Sequence, residues 1–217
     1  MARPLITLKL ATSLDGKIAL ANGMSEWITG EKARAEGRKL RATHDAIAVG
    51  ANTAVLDNPQ LTTRIDGEAD PIRVIFDTKL RLSPKSNLAM TAKETAVWVF
   101  TEAAKRDAAN TLKDLGVRFF KTPANPHIDL KAALQILHDN GVGSLLVEGG
   151  GTLAASFLRL EAVDIIEWFR APIILGGDSR GSIGDLGLEN MNLAKRFNRI
   201  EITELGDDIH ERYERIG

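Results

Sequence analysis

The sequence predicts an α/β protein with a mostly parallel central sheet flanked by helices and antiparallel strands towards the C-terminus. Three observations predict it. Short apolar runs at residues 5–10, 46–49, 72–76, 96–100 and 145–147 are bounded by turn signals, the pattern of strands buried on both faces. Helical periodicity separates several of these runs, as βαβ crossovers require. In the last quarter the rhythm changes. Residues 165–169, 199–205 and 209–216 are strand-like, and only Gly206-Asp207-Asp208 stands between the last two.

Taken in order, Leu5, Thr7 and Lys9 alternate with Ile6, Leu8 and Leu10 in the first strand. Asn22-Gly23, between residues 18–21 and 24–28, reads as the turn of a β-hairpin. Residues 31–41 and 102–115 read as helices. So do residues 130–138, with Asp129 as N-cap, a stripe of Leu130, Ala133, Leu134 and Leu137, and Asn140-Gly141 as the stop. A helix begun at Ala51 ends at Asp57-Asn58-Pro59, because proline restricts the residue before it and removes a donor. Residues 121–126 read as a loop. No repeat, low-complexity tract or linker breaks the chain, so one domain over residues 1–217 is expected.

Composition narrows the chemistry. With 28 Lys+Arg against 29 Asp+Glu the net charge is −1, which offers no bulk attraction to nucleic acid or to an anionic membrane. An anionic partner must therefore meet a few placed cations. The absence of cysteine excludes thiolate zinc sites, thiol nucleophiles, dithiol redox pairs and iron–sulfur clusters. The histidines, His44, His127, His138 and His210, form no pair at i, i+3 or i, i+4, and no metal site is expected. Lys9 and Asp15 interrupt the N-terminal apolar stretch, which lacks a signal-peptide core, and nothing approaches 18 consecutive apolar residues. A cytoplasmic protein is the expectation.

Five stretches carry the candidate chemistry. Glu148-Gly149-Gly150-Gly151-Thr152 turns from a strand into a helix over residues 153–160, so backbone N–H groups and a helix start face a phosphate. A tight turn with Thr152 as N-cap explains the same residues. Glu148 sits where open α/β sheets place ligands, at a strand's C-terminal end, or is a plain surface carboxylate. Residues 50–64 also follow a short strand; Arg64, beside Thr62 and Thr63, is either a phosphate ligand or a solvated cation. Asp15-Gly16 and the block of residues 25–30 are weaker signals, and Trp27 reads as a core residue. Arg38 and Arg41 share a helix face, the usual mark of a solvated stripe. The Gly-rich loop of residues 176–181 is uninformative by itself.

Together these stretches resemble a known family. LKLATSLDGKIA, SEWITG, LRATHDAIAVGANTAVLDNPQLTTR, LLVEGGGTLAASFL and APIILGGDSRG occur in the order and spacing of the reductase domain of the bifunctional riboflavin-biosynthesis deaminase/reductase, and of its stand-alone archaeal and fungal relatives. The resemblance implies a dihydrofolate-reductase-like fold and NADPH-dependent reduction of the ribosyl group of a 5-phosphoribosylamino-pyrimidine to a ribityl chain. Without cysteine the chain cannot build the family's zinc deaminase site, so reduction without deamination is expected.

The resemblance places substrate contacts on Ser25, Arg41, Leu61, Arg64 and Glu148. It places coenzyme contacts on Ala11, Trp27, Thr53, Asp57, Thr78, Gly150, Gly151, Thr152, Leu153, Ala154, Ala155 and Ser156. Asp57 and Glu148 are the candidate catalytic carboxylates. Asp77, ending a strand, stands where a Rossmann carboxylate favours the 2′-OH of NAD, but Thr78, Lys79 and Arg81 follow it and suit a 2′-phosphate. The resemblance also implies a homodimer, and the C-terminal strands would leave an edge needing cover. The alternatives are a paralogue acting on another pteridine or pyrimidine, and a non-catalytic nucleotide-binding module.

Overall fold

The computed structural model describes residues 2–103, 107–123 and 127–216. In chain order it begins with β1 (Leu5–Thr12), β2 (Lys17–Ala19), α1 (Glu31–Ala42), β3 (Ala46–Gly50), α2 (Ala51–Leu56) and β4 (Ile72–Phe76). Next come α3 (Asn87–Met90), β5 (Val97–Thr101), α4 (Asp107–Asp114), β6 (Arg118–Lys121), α5 (Leu130–Asp139) and β7 (Ser144–Val147). The chain then forms α6 (Gly151–Arg159), β8 (Ile165–Arg170), β9 (Arg180–Gly181), a 3-10 turn at Met191–Leu193, β10 (Phe197–Leu205) and β11 (Asp208–Arg215). Two compact units emerge, one from the residues up to Leu5 with 38–149, the other from 6–37 with the residues from 150 onward.

The first unit holds parallel strands in the order β7-β3-β4-β5-β6. Ala46, Ile47, Ala48 and Val49 are all fully buried, which explains the unbroken apolar run that announces β3. Ala46 lies opposite Ile72 on one side and Leu145 on the other. Phe76, Phe100 and Phe120 stack across β4, β5 and β6, with ring centroids 5.5 and 5.1 Å apart. Helix α5 forms as its sequence predicts: Asp129 accepts hydrogen bonds from the Lys131 and Ala132 amides, and Ala133, Leu134 and Leu137 are buried.

The second unit holds the order β10-β11-β8-β1, in which β8 runs parallel to β1 and the other two pairs are antiparallel. Gly206 takes φ +78 in the turn between β10 and β11, a conformation that suits glycine. The α/β class, the parallel strands and the antiparallel C-terminal addition all agree with the sequence.

Three local readings are corrected. Asn22-Gly23 makes a tight turn, with Leu20 and Met24 joined by one backbone hydrogen bond, but no hairpin forms there. Instead β2 pairs antiparallel with β9, across a long sequence separation that a local turn signal does not register. Strand β6 falls between the expected helix and the expected loop and takes Lys121 from the loop; its Phe119-Phe120 core is too short to show a period. Helix α4 starts at Asp107, whereas Glu102 and Ala103 lie outside it; residues 104–106 of the expected helix, and 124–126 of the expected loop, fall outside the described residues. Among the described residues no helix is long and apolar enough to cross a membrane.

Candidate active site

In the first unit, parallel β3 and β7 end side by side. The Glu148 amide donates to the Ala48 carbonyl at 3.0 Å, which carries the ladder one residue past β7 and fixes where the side chain leaves the sheet. A Cβ on Gly149 would lie 2.9 Å from Val49 Cα, so that position requires glycine. Arg41, in the last turn of α1, meets Glu148 as a fork: Nε to Oε1 and Nη2 to Oε2, both at 2.8 Å. Its Nη1 donates to the Thr62 carbonyl at 2.9 Å. Burial works against the Arg41 charge, yet the Glu148 carboxylate and its hydrogen bonds, with Asp70 adding to them, raise the guanidinium above its ordinary value. Glu148 is thus no loose surface carboxylate, and Arg41 no solvated stripe. They neutralise each other.

The loop after α2 carries the next candidates. Helix α2 starts directly from β3 on Gly50 with no side-chain cap, and Asp57 is its C-cap, donating its amide to the Thr53 carbonyl at 3.1 Å. Thr53 is half-buried and Asp57 exposed, flanked by the exposed apolar side chains of Val55 and Leu56. Asn58, Leu61 and Arg64 all adopt left-handed backbone, at φ +41, +59 and +53. Such strain clusters where surrounding structure over-determines it. The Leu61 side chain packs into the hydrophobic core, so its backbone is what it can offer a ligand. Arg64 is exposed and makes no ion pair or hydrogen bond among the described residues.

Beyond β4, Asp77 proves to be a structural carboxylate. It is buried, and its Oδ2 accepts from the Arg81 and Leu82 amides at 2.6 and 2.9 Å. Half-buried Thr78 and the exposed side chains of Lys79 and Arg81 follow, with Arg81 Nε 3.9 Å from Asp77 Oδ1. The carboxylate that argued for a ribose 2′-OH thus gives its Oδ2 to its own turn, while its Oδ1 is buried with no hydrogen-bond partner among the described residues.

In the second unit, half-buried Ala11 lies near the end of β1 and Ser25 is exposed. Trp27 is not a core residue. It is 71% exposed, at φ +66, with the Arg34 guanidinium 4.4 Å from its ring centroid. Helix α6 begins at Gly151, and its N-cap is Gly150 at φ +63, not Thr152; no side chain caps it. Gly151 is also forced by packing, since a Cβ there would come 2.7 Å from the Gly181 carbonyl oxygen. The first-turn N–H groups of a helix lack intrahelical partners. Thr152 is exposed, Leu153, Ala154 and Ala155 are buried, and Ser156 donates its hydroxyl to the Thr152 carbonyl at 2.9 Å.

A family described as "RibD C-terminal domain" matches residues 4–210, nearly the whole chain. The chain belongs to the RibD C-terminal domain family. It is 39% identical over 212 residues to the riboflavin biosynthesis protein RibD of Bacillus amyloliquefaciens, covering 95% of this chain and 56% of that protein. The chain thus spans about half the length of such RibD relatives. It is 35% identical over 215 residues to the 2,5-diamino-6-ribosylamino-4(3H)-pyrimidinone 5′-phosphate reductase of Methanothermobacter thermautotrophicus, covering 97% of this chain and 98% of that protein. Among solved structures, Acinetobacter baumannii RibD superposes with a TM-score of 0.86 at 32% identity, over 99% of this chain and 59% of that one.

For a member of the RibD C-terminal domain family, the structure unites Arg41, Glu148 and the Thr62 carbonyl, and it joins Thr53 to Asp57 within one turn. Ser25, Trp27, Ala11 and residues 150–156 belong to the other unit. Sequence reasoning missed Arg34 beneath Trp27, which has no periodic signature, and also Arg73 and Asp70. Arg73 leaves a trace: it is the lone charge inside the apolar run of β4.

Proposed function

We propose that the chain is a reductase of riboflavin biosynthesis that converts the ribosyl group of a 5-phosphoribosylamino-pyrimidine to a ribityl chain, with NADPH as reductant. The observation that carries this reading is the end-to-end similarity to the Methanothermobacter reductase, which the chain covers almost completely. The resemblance of the motif blocks supports the same reading, because it puts carboxylates and arginines of the types the reaction needs on this chain.

A nicotinamide coenzyme fits the residues present. The uncapped start of α6 suits a diphosphate, the exposed Trp27 ring suits an aromatic face, and Thr78, Lys79 and Arg81 suit the 2′-phosphate of NADPH. When bound, the coenzyme supplies a hydride for C1′ of the opened ribose or its imine. The chain's own residues bind and orient. Arg64, a cation without an ion pair or hydrogen bond among the described residues, takes the substrate phosphate, because the charge of Arg41 is already balanced by Glu148. Glu148, its plane fixed by Arg41, accepts from the pyrimidine or a ribose hydroxyl. Asp57 moves the proton or orients the sugar.

The enzyme acts in the cytoplasm as a homodimer in this reading. Among the described residues strand β10 pairs only with β11, and it leaves Ile200 and Ile202 about half exposed, surface that a second copy would cover. Rescue of a riboflavin auxotroph that lacks its reductase tests the activity. Growth without added riboflavin is expected, and its failure with a well-expressed chain counts against the assignment.

A further inference from the structure

Among the described residues Arg73 is the largest fully buried side chain, and it pairs with no carboxylate there. Its Nη1 donates to the Gln60 carbonyl at 3.2 Å and to Thr91 Oγ1 at 2.8 Å; its Nη2 donates to the Thr91 carbonyl at 3.0 Å and to the Thr95 carbonyl. Nε has no hydrogen-bond partner among the described residues. Burial lowers the guanidinium to about 10, against the opposing pull of Asp70 and Glu94. A buried cation with this arrangement is expensive unless it orders something. Asp70 points to what that is. Its Oδ1 accepts from the Thr63 amide at 2.8 Å and the Thr63 hydroxyl at 3.0 Å, and its Oδ2 accepts from Thr95 Oγ1 at 3.2 Å. Both side chains therefore tie the same two segments, residues 60–63 and 91–95. Between the tied positions Gln60 and Thr63, and just beyond them, lie Leu61 and Arg64, each in the left-handed region that non-glycine residues avoid.

We propose that Asp70 and Arg73 form a brace beneath the loop of residues 58–64 that holds Leu61 and Arg64 in their left-handed conformation, and that both are positioning residues for recognition of the phosphorylated substrate. This rests on the reading that Arg64 meets the substrate phosphate. The brace acts through backbone geometry, so it governs substrate KM and leaves the coenzyme untouched. Asp70 is exposed, so its replacement leaves the core packing intact.

The test compares Asp70→Ala, Asp70→Asn, Arg64→Ala and the double variant Arg64→Ala/Asp70→Ala in the full chain. The substrate is 5-amino-6-(5-phosphoribosylamino)uracil with NADPH, and amide hydrogen exchange is followed over residues 58–66. Asp70→Ala is expected to raise substrate KM roughly tenfold, the worth of a charge-assisted hydrogen bond, with kcat and NADPH KM unchanged and faster exchange confined to the loop. Asp70→Asn keeps an acceptor for the Thr63 amide and should restore most of the affinity. In the double variant the two losses should not add, because the brace works through Arg64. An unchanged KM in Asp70→Ala where Arg64→Ala raises it, or fully additive losses, overturns the proposal. If Arg64→Ala leaves KM unchanged, the phosphate reading falls by itself. Exchange then decides the brace: acceleration over residues 58–64 supports it and unchanged exchange overturns it.

Discussion

In the first unit Arg41 and Glu148 neutralise each other at 2.8 Å, and Arg41 also donates to the Thr62 carbonyl. In the second unit Trp27 stands largely exposed over Arg34, and α6 starts on a glycine with no side-chain cap. The Arg41–Glu148 pair has its charges matched within the protein. The second unit offers an exposed ring and a helix start that no side chain caps. Charge alone is a poor guide to a ligand-binding cation: of the two candidate arginines of the first unit, half-buried Arg41 is paired with Glu148, whereas exposed Arg64 makes no ion pair or hydrogen bond among the described residues. The contrast also separates two kinds of damage: changes at Arg64 or Glu148 should alter substrate handling, and changes at Trp27, Arg34 or the start of α6 should alter coenzyme affinity.

The largest expected effect breaks the reaction while leaving both regions standing. Asp57→Asn should fold and bind NADPH within a few-fold of the parent, yet lose kcat by about 10²–10⁴-fold, the contribution of a positioned acid or base. Steady-state rates with coenzyme titration check it, and a near-parental kcat would remove Asp57 from the chemistry. Next in size, Arg64→Ala should raise the KM of the phosphorylated substrate by about 10–150-fold, the worth of a charged hydrogen bond. A dephosphorylated analogue should be indifferent to it. Equal losses for both compounds would show that Arg64 does not read the phosphate.

A smaller effect probes the other side of the comparison. Arg34→Ala removes the cation beneath Trp27, worth about 0.5–1 kcal/mol at an exposed site. It should raise NADPH KM by about two- to fivefold, leave substrate KM alone, and shift the tryptophan emission. A change in substrate KM instead would dissolve the division between the two regions.

The smallest effect concerns Asp15. The Ser13 hydroxyl, with the Leu175 and Gly176 amides, lowers its carboxyl from 3.8 to about 2 against the opposing effect of desolvation. A lowered folded-state value stabilises above the ordinary value and is lost as pH falls towards 2. The melting temperature of Asp15→Asn should therefore lie below the parent's at pH 5 and converge with it as the pH approaches 2. A gap independent of pH would assign the effect to something other than the charge.

Much of the fold was legible because burial on both faces writes itself as apolar runs. Residues 46–49 and 72–76 reappear almost unchanged in β3 and β4, and Asp129 caps α5 as its sequence predicts. What escaped depends on contacts distant in sequence. The Asn22-Gly23 turn formed without its hairpin because Lys17–Ala19 pairs with Arg180–Gly181 instead. Strand β6 escaped because two phenylalanines carry no period. For the site, motif blocks located Arg41 and Glu148 but not their mutual pairing, which joins residues 107 positions apart. Trp27 looked like core because hydrophobicity predicts burial, whereas its left-handed backbone turns it out over Arg34. Arg73 was visible as a charge in an apolar strand, but its four acceptors were not.

The central claim is that this chain reduces a phosphorylated ribosylamino-pyrimidine with NADPH. Single-turnover mixing of the purified chain with NADPH and 5-amino-6-(5-phosphoribosylamino)uracil, or its diaminopyrimidinone counterpart, tests it most directly. The account predicts loss of NADPH absorbance in step with appearance of the ribityl product, faster with NADPH than with NADH. Coenzyme that stays reduced in the presence of both substrates, with the protein folded and NADPH bound, would contradict it.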